Sequence, residues 1–360
     1  MKIAILSIAK PETGTGNGTT EYAFQLSQRL KAMKGNRVEN VYAIDESKRR
    51  DTFGLVKMHL AFPRVVRELA KKDYDIIHIT IQEIGFAARI LKENGSTAKV
   101  ITTIHDLTRL TPGMHRGVRQ TVYNELVKSS IGDAVRYSDF ISFNSSQTKE
   151  EVGRKFGKSK RSRVIWHGTR KSFLDTPIKK KKLHSRFRVG YIGSLGSHKN
   201  VIALARVATY MRRFHNISFL VYGTGADMRR ITFYTADNNL HNLHMMGFVK
   251  EKDLIKTLDG LDVFVMPSLY EGLSHQILEA GARGIPMVVF KDARIPKEVT
   301  KMCYKARNEA QMAEAIRHIY ENGFSASMRA REIKYYKSFT WDRTALESYR
   351  LYKELLGVKG

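Results

Sequence analysis

Two carboxylates eight residues apart, Glu271 and Glu279, stand in the segment Tyr270-Glu271-Gly272-Leu273-Ser274-His275-Gln276-Ile277-Leu278-Glu279-Ala280. An apolar run, Asp262 to Met266, ends at Pro267-Ser268 just before them. Ser274 suits a helix N-cap and Gly284 a C-cap, so Glu271 is expected in a loop and Glu279 on a helix. A carboxylate near a helix N-terminus can accept two adjacent hydroxyls while backbone N–H groups hold a phosphate. That combination suits a ribose or hexose attached to a diphosphate. A concrete alternative is a surface pair between Glu279 and Arg283, spaced i, i+4 and worth about 0.3 kcal/mol.

Other segments have ambiguous chemistry. The loop Gly14-Thr15-Gly16-Asn17-Gly18 precedes a helix opening at Thr19 or Thr20, which lets backbone approach a phosphate or sugar. It lacks the Gly-Lys-Ser/Thr of a P-loop and the dinucleotide fingerprint spacing, and is equally a turn. His105 follows an apolar run and is read as structural, with Asp106 capping the next helix.

The elements that must position these residues alternate along the chain. Short β-rich runs at Lys2 to Ala9, Arg37 to Ile44, Asp75 to Ile81, Lys99 to Ile104, Asp139 to Asn144 and Arg163 to Trp166 enclose helical stretches such as Glu21 to Met33 and Pro63 to Lys72. The pattern restarts at Arg188 to Gly193 and continues at Ile217 to Tyr222, Leu243 to Met246, Asp262 to Met266 and Pro286 to Phe290. The fold class is therefore α/β, with two Rossmann-like doubly wound domains in tandem. The first is expected over residues 1–168, a basic linker over 169–182, the second domain over 183–339, and a C-terminal helix over 340–360 packing back on the first. Ligands of open α/β sheets bind outside the carboxyl ends of the strands, and two such domains facing each other would form a cleft there. The 360 residues, 42% hydrophobic and 27% charged, suffice for two globular cores.

Met1 to Ala9 reads as a buried strand and not as a leader, and no run reaches the ~18 apolar residues needed to span a bilayer. A single cysteine, Cys303, rules out an internal disulfide and a Cys-rich zinc site, and fits a reducing cytoplasm. The formal charge of +27 favours anionic partners. From Lys149 to Arg188 there are fifteen Lys/Arg against three acids, so the excess is concentrated.

Pro267-Ser268-Leu269-Tyr270-Glu271-Gly272, with Leu278-Glu279-Ala280 and Gly284-Ile285-Pro286, resembles the donor-site signature of glycosyltransferase family 4. Further matching segments follow in the family's order: the glycine loop, Tyr74 to His78, Thr103 to Leu107, Val164 to Gly168, Gly193 to Asn200, Tyr222 to Gly225 and Phe339 to Asp342. The resemblance covers nearly the whole chain. It implies the GT-B fold with the active site between its domains, and transfer from a nucleoside-diphosphate sugar with retention of configuration. By this resemblance Glu279 binds the ribose hydroxyls and Glu271 the donor-sugar hydroxyls, and Lys199 stabilises the leaving diphosphate. His105 contacts the sugar near the reacting carbon, orienting without attacking. Gly16, Gly18, Ser194, Gly223, Gly272, Leu273 and Leu278 complete the donor site, the last with backbone amides. The family's usual arginine five residues before the lysine is replaced by Ser194. Neither metal nor cofactor is expected.

The acceptor implied is a glycan or lipid-linked hydroxyl. Arg64, Arg67, Lys71 and Lys72 opposite Val65, Val66 and Leu69, together with Arg109, Arg116 and Arg119, suit an anionic membrane face, although such a helix more often packs its apolar side inward. A cytoplasmic protein, peripheral on the inner membrane face, is the corresponding expectation. Three rivals stay open. A nicotinamide-dependent oxidoreductase would use Asp45 on a ribose, although that residue lies roughly thirty positions past the glycines where ~20 is usual. A nucleic-acid-binding protein fits the charge but shows no reader motif, so nucleic acid is not the favoured partner. A nucleotide-sugar binder without turnover is consistent with Ser194.

Overall fold

A computed structural model describes residues 1–10, 18–44, 52–110, 118–159, 161–178 and 186–358. The chain divides into two compact units, Met1–Gly168 with Thr340–Gly360, and Thr169–Phe339. Gly16, Asp45, Arg116 and Lys179 to Lys182 lie outside the described residues, as do the side chains of Arg109 and Arg119.

In the first unit, β1 (Lys2–Ala9), α1 (Gly18–Ala32), β2 (Arg37–Ile44), α2 (Thr52–Ala70), β3 (Ile76–Ile79), α3 (Ala87–Glu93), β4 (Lys99–Ile104), α4 (Val118–Tyr137), β5 (Phe140–Phe143), α5 (Ser146–Phe156) and β6 (Ser162–Val164) follow in order. The strands pair in parallel as β2-β1-β3-β4-β5-β6. Parallel sheets need both faces covered, which is why β1 is buried nearly throughout. Its alternation divides the work: Ile3 and Ile5 pack with Tyr22, Leu26 and Leu30 of α1, while Ala4, Leu6 and Ile8 join the core that holds Met58, Phe62 and Val66 of α2.

The second unit contains α6 (Lys171–Asp175), β7 (Phe187–Ile192), α7 (Ile202–Tyr210), β8 (Ile217–Tyr222), α8 (Met228–Asp237), β9 (Leu243–Gly247), α9 (Glu251–Asp259), β10 (Val263–Met266), α10 (His275–Ala282), β11 (Met287–Phe290), β12 (Tyr304–Ala306), α11 (Glu309–Asn322) and α12 (Ala326–Tyr336). Its parallel sheet runs β9-β8-β7-β10-β11-β12. Counted from β7 this is the order 3-2-1-4-5-6 of dinucleotide-binding folds. Glu332 of α12 is buried, and neither of its carboxylate oxygens is hydrogen-bonded. Burial pushes its carboxyl up to about 9, against the opposing charge of Arg329.

The last helix, α13 (Trp341–Leu355), belongs to the first unit, where Trp341, Ala345, Leu351 and Tyr352 share the core of Tyr22 and Leu26. It starts close against Gly168, where an added Cβ would stand 2.1 Å from the Trp341 nitrogen.

Three details differ from the sequence expectations. Pro63 stands inside α2 and does not open it, because Met58 and Phe62 before it and Val66 and Leu69 after it are all anchored in the core. β12 has a single buried residue, Ala306, and carries no apolar signal. The segment expected as a linker contains α6, whose Phe173 is buried.

Candidate donor-binding site

The order of the second sheet reverses at β7, which has β8 on one side and β10 on the other. Ligands of doubly wound sheets bind at such a reversal, beyond the carboxyl ends of the strands. Lys199 follows β7 in a short 3-10 turn and Glu271 follows β10. The topology brings them together: Lys199 Nζ donates to Glu271 Oε1 at 2.7 Å and to Oε2 at 2.9 Å. Only 10% and 9% of the two side chains is exposed, so this is a buried pair on which water acts weakly. The loop that carries Glu271 is pinned by the Glu271 amide to the Arg294 carbonyl and the Leu269 amide to that of His198.

Ser274 stands at the N-cap of α10, but its hydroxyl accepts from no amide of the first turn and instead donates to the Gln276 side chain at Oε1, 3.4 Å away. Gly272 and Leu273 are half-buried in the loop ahead of it. Leu278 is fully buried, and its amide donates to the Ser274 carbonyl. The donor role assigned to that amide is therefore corrected: helix formation has already consumed it. Glu279 is buried on α10, but its partner is not Arg283. Arg170 donates through Nε to Glu279 Oε1 at 2.7 Å, and Nη2 lies equally close. Burial raises the Glu279 carboxyl above the usual carboxylate range, and Arg170 opposes that shift. Arg283 is bound instead to Asp259 at 2.7 Å and to the carbonyls of Thr176 and Pro177. The i, i+4 pair is thus absent because each side chain has a better partner off the helix.

Ser194 is exposed, and its carbonyl accepts from the buried Tyr191 hydroxyl at 2.8 Å. Gly223 has φ of +133°, and a Cβ there would stand 1.8 Å from the Gly193 carbonyl oxygen. Its glycine character is accounted for by this crossing of the β7 and β8 loops.

The first unit has its own reversal at β1, between β2 and β3. Gly18 opens α1 beyond β1. His105 follows β4, buried, and its Nε2 donates to the Thr80 carbonyl at 2.6 Å, which places the proton on that nitrogen. Its amide is held by Gln82 Oε1 at 3.0 Å. Burial holds the imidazole below its ordinary pKa, against the Thr80 carbonyl and Asp106. Around it lies a cluster that sequence reasoning did not assemble. Tyr22 stacks on His167 with ring centroids 4.3 Å apart and meets His105 edge-on at 5.2 Å. Thr103 Oγ1 joins the Tyr22 hydroxyl at 3.0 Å and His78 Nε2 at 2.7 Å, and His78 Nδ1 bonds the Tyr352 hydroxyl of α13. His167, His78 and Thr103 stood in segments singled out from sequence; Tyr22, Arg170 and Tyr352 gave no local signal.

Residues 16–172 match the family described as Glycosyltransferase Family 4, and residues 175–339 match Glycosyl transferases group 1. An uncharacterized glycosyltransferase of Methanocaldococcus jannaschii is 27% identical over 60% of this chain and 60% of its own length. The Escherichia coli UDP-Gal:alpha-D-GlcNAc-diphosphoundecaprenol alpha-1,3-galactosyltransferase is 26% identical over 65% of this chain, and the match spans 62% of that protein. The solved structure of Anabaena HepE in complex with UDP-glucose shares the fold with a TM-score of 0.71 at 16% identity, covering 99% of both chains. With two doubly wound units and both halves of the sequence matched, the chain belongs to the group 1 glycosyltransferases of the GT-B fold.

Proposed function

We propose that this protein transfers a hexosyl group from a nucleoside-diphosphate sugar to an acceptor hydroxyl with retention of anomeric configuration. The observation that carries this proposal is the buried Lys199–Glu271 pair at the β7/β10 reversal, on the same unit as Glu279. In the reaction the bond from the anomeric carbon to the donor phosphate oxygen breaks, and a bond to the acceptor oxygen forms on the same face. The acceptor proton passes to the departing phosphate. Lys199 turns its ammonium to the diphosphate as negative charge develops there, and Glu271, partly released, accepts sugar hydroxyls. Glu279 accepts from the ribose. His105, neutral with its proton on Nε2, contacts the sugar and orients it without attacking. No metal cofactor takes part, since Lys199 and backbone N–H groups supply the countercharge.

The acceptor proposed is lipid-linked, in keeping with the diphosphoundecaprenol named for the Escherichia coli relative. On α2, Leu60 is 79% and Val65 44% exposed, beside exposed Arg64 and Arg67. Such a face fits an anionic lipid surface at the inner side of a cell membrane. Among the described residues no helix is long and apolar enough to cross a membrane.

The test is incubation with a panel of nucleotide-sugars, following thermal shift and nucleotide release in the presence of EDTA, with Glu279→Gln as control. At least one donor should stabilise the wild type and be turned over despite the chelator, while Glu279→Gln loses both responses. No stabilisation by any donor, or an equal response of the variant, would contradict the assignment.

A further inference from the structure

Glu279 on α10 and Arg283 at its C-cap stand one turn apart, and both are bonded to the same short stretch, residues 170–177. We infer that Arg170 is the positioning residue of the nucleotide site, holding Glu279 in the ionised, oriented form that receives the ribose; this rests on the assignment of Glu279 to that sugar.

The geometry is specific. Nε and Nη2 of Arg170 both approach Oε1 of Glu279 at 2.7 Å, while none of the described residues donates to Oε2. One oxygen is therefore fixed by the protein and the other is left to accept a hydroxyl. A carboxylate with 5% of its side chain exposed would take up a proton or rotate without such a partner. Burial does drive Glu279 toward the protonated form, with the Glu251 charge in the same direction, and the guanidinium is what opposes them.

Arg170 is itself held in place. Its guanidinium lies 4.9 Å from the ring centre of Phe173, which is buried, and its Nη1 reaches Glu251 at 3.5 Å. The stretch is fastened at both ends. The Thr169 amide donates to the Phe339 carbonyl at 2.9 Å, and Lys337 Nζ to that of Leu174 at 2.8 Å. Arg283, fully buried and anchored on Asp259, binds the carbonyls of Thr176 and Pro177. α10 thus grips the stretch through Arg283 and is gripped by it through Arg170. The planar fork over an aromatic ring is a role that lysine fills only in part.

The experiment is a double-mutant cycle read by calorimetric titration with UDP, GDP and ADP from about pH 6 to about pH 8. Wild type, R170A, R170K, E279Q and R170A/E279Q are compared with whichever nucleotide the wild type binds. R170A should bind roughly tenfold more weakly near neutrality, and more weakly still as the pH falls and Glu279 takes up its proton. R170K should recover part of the loss, and the double variant should be no weaker than E279Q. A purely structural role would give neither the new pH dependence nor the non-additivity. Binding by R170A within about twofold of wild type at every pH, or additive losses, would overturn the inference alone. Wild-type binding of none of the three nucleotides, or wild-type affinity in E279Q, would overturn the ribose assignment and this inference with it. Where R170A loses its far-UV circular dichroism, R170Q, which keeps most of the volume without the charge, replaces it in the cycle.

Discussion

The two units are both doubly wound parallel sheets, yet the side chains gathered near their strand ends differ in kind. In the second, Lys199 and Glu271 beyond the strands and Glu279 on α10 are formally charged, buried and paired, Lys199 with Glu271 and Glu279 with the partly exposed Arg170. In the first, His105 beyond β4 clusters with His78 of β3, His167 and Tyr22, and burial suppresses the basicity of the His78 and His105 imidazoles. Fixed charge suits an anionic group that is bound and released. A neutral imidazole with a defined tautomer suits hydroxyl groups, which it can orient without creating a competing ion pair. One fold class thus offers two chemistries, distinguished by the side chains at the strand ends.

The contrast can be broken most severely at Lys199. K199A should lower turnover roughly a hundredfold, because the countercharge on the leaving diphosphate is lost. It should also destabilise the second unit by about 3 kcal/mol, since Glu271 is left buried without its partner. Steady-state kinetics and urea unfolding measure the two effects, and E271Q added to K199A should restore part of the stability while leaving turnover low. On the neutral side, H105A should lower turnover about tenfold with the nucleotide Kd unchanged, which separates orientation of the sugar from binding of the nucleotide. A matching rise in Kd would remove the distinction between the units.

The pH dependence of stability sharpens the same comparison. Burial pushes His59 down to about 4 and His78 down to about 3 in the first unit. These imidazoles bind protons more weakly folded than unfolded, so their contribution is complete above about pH 6.5 and is lost as the pH falls toward 3. Glu332 in the second unit has the opposite sign. With its carboxyl pushed up to about 9, its contribution is complete below about pH 4.5 and is lost as the pH rises toward 9. Hydrogen exchange resolved by peptide should show the first unit opening first in acid and the second first in alkali. E332Q should flatten the alkaline limb and stabilise the second unit by about 1 kcal/mol at pH 8. The smallest effect is expected on α2: L60E should weaken flotation with anionic vesicles a few-fold and leave neutral vesicles unaffected. Equal binding of the wild type to both vesicle types would contradict the lipid surface.

Much of this arrangement is legible in the sequence because the signals are local. Lys2 to Ala9, Arg37 to Ile44, Lys99 to Ile104 and Ile217 to Tyr222 are β-rich runs with the same bounds in the structure. Turn and cap chemistry at Pro267, Ser274 and Gly284 places Glu271 in a loop and Glu279 on a helix. What is not legible depends on tertiary partners. Arg170 meets Glu279 across 109 positions, and no periodicity marks it among the many cations around it. Tyr22 occupies an apolar position of α1, where a core residue and a ring stacked on His167 look alike. Arg283 is a good i, i+4 partner for Glu279 on paper, and Asp259 takes its place only once the fold brings that carboxylate within 2.7 Å of the guanidinium.

The most direct measurement is the ratio of affinities for a nucleoside diphosphate and its parent nucleoside, in the wild type and in K199M. The expected result is a strong preference for the diphosphate in the wild type that falls about tenfold or more in K199M, with nucleoside affinity unchanged. An unchanged ratio would contradict the placement of the diphosphate at the Lys199–Glu271 pair.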